Sequence, residues 1–365
     1  MLGSGKSHVR VPGRSPWPLI LCSIVTAQAL PARCESTISA STLAAADNQR
    51  FRWQEAQASW AHEGDISGER LMIRGHHYAL EAPFAGIRAF DGREGAAEGG
   101  AHLLAGLWWF EGAAGFQGVA DWHDAVGRFV LARAFPTSGG TFTPRLDVGR
   151  GPLALYPVPL SLGMFSDRAE AALAWRASRW VGEVSYHVEL WEAATAPGRV
   201  ENAALDEIPS NRIQSVQGYV LTQSGDWFDW GLVGKAVWSL HNTTVPTQSF
   251  PTYEYTWYPA YAPPFSWEGD LVARVQTRSD RSLSVSAQLQ LPVVSRETRR
   301  WDQVSVSYWG TAPYQAKGMA RWSFLPATAV QLTGSFFAKP WERWDPRTAG
   351  TYLQGSVGLG LEQKI

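Results

Sequence analysis

The sequence predicts an all-β chain: an antiparallel transmembrane β-barrel of roughly 14–18 strands, preceded by a signal peptide. Three observations carry that expectation. Ribbons of about ten residues recur through the C-terminal half, apolar on alternate positions, with Ser, Gln, Thr and Gly between. Tryptophan is abundant, at 19 residues beside 11 Tyr and 15 Phe, and many stand near ribbon ends. Nothing after residue 30 has the eighteen or so consecutive apolar residues that a membrane helix needs. The 365 residues suffice for one large domain or two ordinary ones. Charge is nearly balanced at −1 with no basic stripe, which excludes a nucleic-acid partner.

The first residues read as a targeting segment. Lys6, Arg10 and Arg14 precede the apolar stretch 19–25, and Ala27-Gln28-Ala29 has the small-x-small form of a cleavage site. Removing residues 1–29 takes away three positive charges, leaving 29 basic against 33 acidic residues and a net charge of −4. Cys34 would then be the one remaining cysteine, so no disulfide framework exists. "LPARC" puts Arg33 where a lipoprotein signal wants a small residue, which argues against a lipid anchor there. Residues 35–49, rich in Ser, Thr and Ala, read as a linker. The predicted organisation is a signal peptide over 1–29, a periplasmic linker over 30–49 and a barrel over 50–365.

Strand candidates in the N-terminal half are 51–62, 68–74, 76–82, 84–90, 101–111, 116–123, 126–135, 141–147, 151–159 and 169–179. Some, such as "HLLAGLWWFEG" at 102–112, are apolar on both faces. The C-terminal ribbons are clearer. In 182–192 Val184, Tyr186, Val188 and Leu190 oppose Glu183, Ser185, His187 and Glu189. In 227–240 the apolar face holds Phe228, Trp230, Leu232, Ala236, Trp238 and Leu240. In 269–278 Leu271, Ala273 and Val275 oppose Asp270, Arg274, Gln276 and Arg278, with Val272 as the exception. In "RSLSVSAQLQLPVV" (281–294) Leu283, Val285, Ala287, Leu289 and Leu291 oppose two serines and two glutamines. The same alternation continues in 302–310, 314–324, 329–339 and 351–361. Gly225-Asp226 and Ser279-Asp280 supply hairpin chemistry, so consecutive ribbons form an antiparallel meander.

A soluble β-sandwich would show shorter strands with charged outer faces. Long strands, an uncharged polar face and terminal aromatics fit a barrel whose apolar face meets lipid and whose polar face lines a lumen. Such a sheet must close, because an open edge in hydrocarbon leaves backbone groups unpaired. Over residues 50–365 the pattern resembles the outer-membrane β-barrel class of Gram-negative bacteria. One departure is the C-terminus, "LEQKI", where that class usually ends on an aromatic residue. The resemblance implies outer-membrane lipid and the barrel-assembly machinery as partners, and no cofactor.

Counting back from a periplasmic C-terminus makes 340–350 external, 325–328 periplasmic, 311–313 external, 293–301 periplasmic and 279–280 external. That would leave 241–267 as a very long periplasmic connection, which barrels seldom have. Strand character in "TYEYTWYPAY" (252–261), around Tyr253–Tyr258, removes the conflict; an aromatic loop folded into the lumen is the rival reading.

Fourteen or more strands enclose water, and the simplest use of that space is passage. The predicted lumen-lining residues are Glu183, His187, Glu189, Arg274, Gln276, Arg278, Gln288, Gln290, Gln303, Lys317 and Arg321. Mixed charge with many amides suits a neutral or weakly charged hydrophilic solute, and aromatic rings beside amides suit a saccharide. Barrels similar to those exporting surface polysaccharides imply saccharide passage, by export or uptake, and a possible periplasmic export partner. The other classes are a structural or adhesive scaffold presenting 193–212 and an outer-membrane hydrolase. Neither "GHHYALE" (75–81) nor "DWHD" (121–124) supplies a nucleophile–base pair or a specific metal spacing. No catalytic or metal residue is therefore assigned. "GSGKS" (3–7) lacks the full phosphate-loop spacing and a preceding strand.

Overall fold

The computed structural model describes residues 35–47, 51–80, 90–119, 122–152, 165–191, 211–223, 227–240, 247–249, 254–256, 264–277, 282–301, 304–310, 312–341 and 350–365. Sixteen antiparallel strands close into one barrel. In chain order these begin with β1 (Glu35–Asp47), β2 (Phe51–Glu63), β3 (Ser67–Leu80), β4 (Phe90–Ala105), β5 (Trp108–Val119) and β6 (Trp122–Arg133). The short β7 (Phe135–Thr137) prolongs β6 along β8 (Gly140–Pro152). The wall continues with β9 (Phe165–Arg176), β10 (Trp180–Trp191), β11 (Asn211–Gln223) and β12 (Phe228–Ser239). The short strands β13 (Thr247–Ser249) and β14 (Glu254–Thr256) pair only with each other, in a separate sheet. The barrel resumes at β15 (Phe265–Gln276) and β16 (Leu283–Trp301), with β17 (Val304–Trp309) paired to the far end of β16. It ends with β18 (Tyr314–Leu325), β19 (Thr328–Trp341) and β20 (Gly350–Lys364). Closure runs through β1, which pairs with β2 on one side and β20 on the other. Among the described residues each of the sixteen wall strands is paired on both sides, so the backbone groups of the wall are bonded within it, the condition a bilayer imposes.

The two faces separate as the alternation requires. Leu71, Leu103, Phe116, Phe129, Leu146, Leu232, Leu289, Leu332 and Leu359 all stand exposed on the outer face. A continuous apolar surface of this extent is unsuited to water and suited to lipid. Aromatic rings gather at both of its margins. Trp108, Phe142, Trp180, Trp230, Trp322 and Phe324 lie near the short-turn end, and Trp238, Phe265, Trp267 and Trp309 near the other. Tight turns at 106–107, 138–139, 177–179 and 326–327 share the first end with both barrel termini, where Ile365 N–H donates to the Ser36 carbonyl. The longer chain segments 81–89, 153–164, 192–210, 240–264 and 342–349 join strands at the opposite end. Short periplasmic turns and longer external connections orient the barrel with its termini inward to the periplasm.

Packing detail on the outer wall follows from residue size. Gly182 on β10 sits beside Trp175 on β9, and a Cβ at Gly182 would overlap the indole ring. The ring thereby covers a backbone that a larger residue would push away.

Several sequence expectations need correction. Residues 35–47 form the first barrel strand, not a linker. Its outward Ala40, Thr42 and Ala44 are too small to give a hydropathy signal, while the backbone bonds to two neighbours hold it in place. The candidates 68–74 and 76–82 are one strand, β3, as far as Leu80; residues 81–82 lie outside the described residues. The candidate 101–111 is two strands, because Gly106, at φ 64°, turns the chain between β4 and β5. Residues 293–301 are no periplasmic connection; they continue β16 past the external margin, where β17 folds back on them. The ribbon 302–310 therefore does not cross the membrane. Of the predicted strand around Tyr253–Tyr258, Glu254–Thr256 belongs to the separate hairpin and the remainder lies outside the described residues. One crossing too many at 302–310 had demanded a compensating one at 252–261. Residues 1–34, with the expected signal peptide and Cys34, lie outside the described residues, as do 84–89 and 193–210.

Candidate functional site: the inner wall of the barrel

The concave face is identified by contacts that skip a strand, which only inward side chains on a closed sheet can make. Arg70 on β3 reaches Glu111 on β5 at 3.3 Å, and Arg74 on β3 reaches Gln117 on β5 at 3.4 Å. Arg145 on β8 reaches Glu183 on β10 at 3.4 Å.

These contacts belong to a belt of paired charge across β3–β10. Arg70 also meets Glu98 at 3.5 Å. Arg128 lies between Glu111 at 3.7 Å and Asp147 at 2.6 Å, and its Nε–H donates to Asp147 as well, a forked geometry. Arg145 bonds Glu170 in addition to Glu183. His76 faces Glu55 at 3.4 Å, and His102 faces Glu63 at 3.4 Å with its ring stacked on Trp109. Arg70, Arg128 and Arg145 each have acidic neighbours, while Arg74 meets the Gln117 amide, so most of the belt's charge is compensated locally.

The wall from β16 through β20 to β2 is different. Its inward positions carry Ser284, Ser286, Gln288 and Gln290 on β16, Gln331 and Thr333 on β19, and Ser356 on β20, with Lys317 and Arg321 on β18 and Glu362 on β20 as the charged members. Hydroxyls pair across strands: Ser39 with Ser59 at 2.7 Å and Ser335 with Ser356 at 2.6 Å. Between the two sectors an apolar patch of Val181, Tyr219, Leu221, Val233 and Val272 is buried on the inner face of β10, β11, β12 and β15. Gly231 lies within it, and a Cβ there would collide with the Val220 carbonyl oxygen. The residue type thus lets β11 and β12 draw together at that point.

The sequence-derived lining residues distribute over these sectors. Glu183 is buried against Arg145, and His187 lies 3.9 Å from Glu189, whose carboxylate also accepts from the Ser166 hydroxyl. Arg274 is bound to Asp229 at 2.7 Å, and Gln276 follows it on the same face. Gln290 donates to Asp270 on the neighbouring strand. Gln288, Arg274 and Lys317 occupy one inner row, since Gln288 faces Arg274 on β15 and Lys317 on β18. Arg321 is paired with Glu362 at 2.8 Å. Arg278 and Gln303 lie outside the described residues. Val272, the exception in its ribbon, faces inward and is 1% exposed within the apolar patch.

Most of the charged belt escaped the sequence reading. Arg70, Glu98, Glu111, Arg128, Arg145 and Asp147 lie on strands whose outer faces hold Ala and Gly as often as Leu, which blurs the alternation. The signal was present in 70–76, where Arg70, Arg74 and His76 oppose Leu71 and Ile73.

The fold and this two-faced wall define an outer-membrane β-barrel. No protein-family model matches the chain, and no curated protein sequence matches it. Among solved structures, a bacterial polysaccharide outer membrane secretin is similar at a TM-score of 0.54 and 10% identity, covering 89% of this chain and 97% of that one. CdiB from Escherichia coli aligns with a TM-score of 0.49 and 12% identity, covering 91% of this chain and 68% of that one. Salmonella typhi OmpF in complex with daunomycin gives a TM-score of 0.43 and 9% identity, covering 91% and 98%. At such identities the likeness is one of fold.

Proposed function

We propose that the barrel is an aqueous passage through the outer membrane for a saccharide or polysaccharide, in export or uptake. The observation that carries this reading is the division of the inner wall. One sector presents chiefly hydroxyls and amides, beside Lys317 and the Arg321–Glu362 pair, and in the sector from β3 to β10 most charges are paired with opposite ones. A wall of that kind offers hydrogen bonds to a polyhydroxylated neutral solute and no ring of like charge to select an ion. The fold shared with a polysaccharide secretin supports the same reading by analogy. The proposal includes export of the chain by a signal over residues 1–29 and a periplasmic partner when the solute moves outward.

The test is single-channel recording of the full protein in a planar bilayer. A stable ohmic step, reduced in steps by added neutral oligosaccharide and unchanged by equimolar small anions, is the expected result. A folded barrel that conducts no current would overturn the passage and leave a scaffold. Conductance indifferent to oligosaccharide would overturn the solute class alone.

A further inference from the structure

Beyond the lumen, the outer surface carries a cation where lipid begins. β16 is regular from Leu283 to Leu291, with odd residues outward and even residues inward. Then Asp270 of β15 faces Pro292 while Gly269 faces Val294, so Val293 is left over as a bulge, 70% exposed. The extra residue reverses the alternation. Ser295 and Glu297 become the buried, inward pair, and Arg296 turns outward. Without the bulge Arg296 would point into the lumen. Bulges commonly serve to re-aim a side chain in this way.

Arg296 emerges between two tryptophans of the external aromatic margin. Its register partners are Trp267 on β15 and Trp309 on β17. Its guanidinium lies 5.5 Å from the Trp309 ring centroid, and that ring meets Trp267 edge-on at 6.1 Å. One Nη donates to the Ser307 hydroxyl at 2.9 Å. The Nε–H is buried without an acceptor, and no carboxylate pairs with the group among the described residues. The buried Nε–H is closed to a ligand, but the two Nη groups keep donors in one plane beyond the bond to Ser307, and such a pair suits phosphate oxygens. The indole rings beside it offer apolar surface to acyl chains or sugar rings.

We propose that Arg296, with Trp267, Trp309 and Ser307, binds the phosphate of a phosphorylated glycolipid headgroup in the external leaflet. The site is independent of what passes through the lumen. Arg133 is an internal comparison: it also has a buried, unpartnered Nε and lies over aromatic rings, Trp108 and Phe135, but at the periplasmic margin.

The experiment is native mass spectrometry of the full protein released from detergent. The probes are a diphosphorylated acyl-disaccharide lipid, its dephosphorylated form, and phosphatidylglycerol. Retained fold is read from heat-modifiable electrophoretic mobility. R296Q is expected to weaken the diphosphorylated glycolipid about tenfold, as loss of a charged hydrogen-bonding partner implies. R296K, which keeps the charge and loses the fork, should fall between the two, and R133Q should match the wild type. Equal binding by wild type and R296Q, or of the two glycolipids by wild type, would overturn the site. Phosphatidylglycerol binding as tightly through Arg296 would overturn the assignment to glycolipid. Should R296Q not fold, R296K and the phosphate dependence of the wild type still decide the matter.

Discussion

Leu289 and Gln288 are neighbours in sequence and belong to different solvents. Leu289 is 43% exposed on the outer face, between Ala273 and Ala316 on the adjacent strands. Gln288 faces inward between Arg274 and Lys317. Arginine at 289 would carry a charge into hydrocarbon near the middle of the wall, at a cost of about 2–4 kcal/mol. That is roughly a 30- to 900-fold loss in the folding equilibrium constant. Val285→Arg, on the same face, should behave alike. Arginine at 288 enters a water-lined row and meets two cations, one already held by Asp229. Cross-strand repulsion of that kind costs about 1 kcal/mol or less. The assay is reversible guanidinium unfolding in lipid vesicles, followed by tryptophan emission. Equal destabilisation by Leu289→Arg and Gln288→Arg would refute the assignment of faces. So would a wild-type protein that stays folded and monodisperse in water without detergent.

Three further outcomes follow from the geometry. Arg145→Gln strips the shared partner from Glu170 and Glu183 and should cost about 3 kcal/mol in the same assay; a neutral effect would mean that water already screens the belt. Gly182→Val drives a side chain into the Trp175 ring and should cost about 1–3 kcal/mol, most of it recovered in the double variant with Trp175→Ala; no recovery would place the strain elsewhere. Deleting residues 35–47 removes the strand that joins β2 to β20 and should abolish heat-modifiable mobility; a compact barrel without them would disprove closure through β1.

Some of this protein was legible in its sequence, and the pattern of what was missed is physical. Period two with opposite polarity on successive residues specifies a strand and both of its faces locally. Hence "RSLSVSAQLQLPVV" assigned Leu289 to lipid and Gln288 to water without a structure. The same alternation placed Arg274, Gln290 and Arg321 inward, but could not say that Asp229, Asp270 and Glu362 receive them, since those partners sit on other strands. Where outer residues are alanine or glycine, as in β1 and β4, alternation fades and the strand disappears into apparent linker or loop.

Tertiary structure decided what depends on distant partners: which ribbons cross, where they shift register, and how the sheet closes. β1 is a strand because β2 and β20 flank it, not because its side chains demand it. β17 looks like a crossing strand in isolation, yet pairs above the margin with the extension of β16. The Val293 bulge, a property of pairing between two strands, alone turns Arg296 from water to lipid. Side-chain alternation is local and written in the sequence; register and closure are set by backbone bonds between segments far apart in the chain.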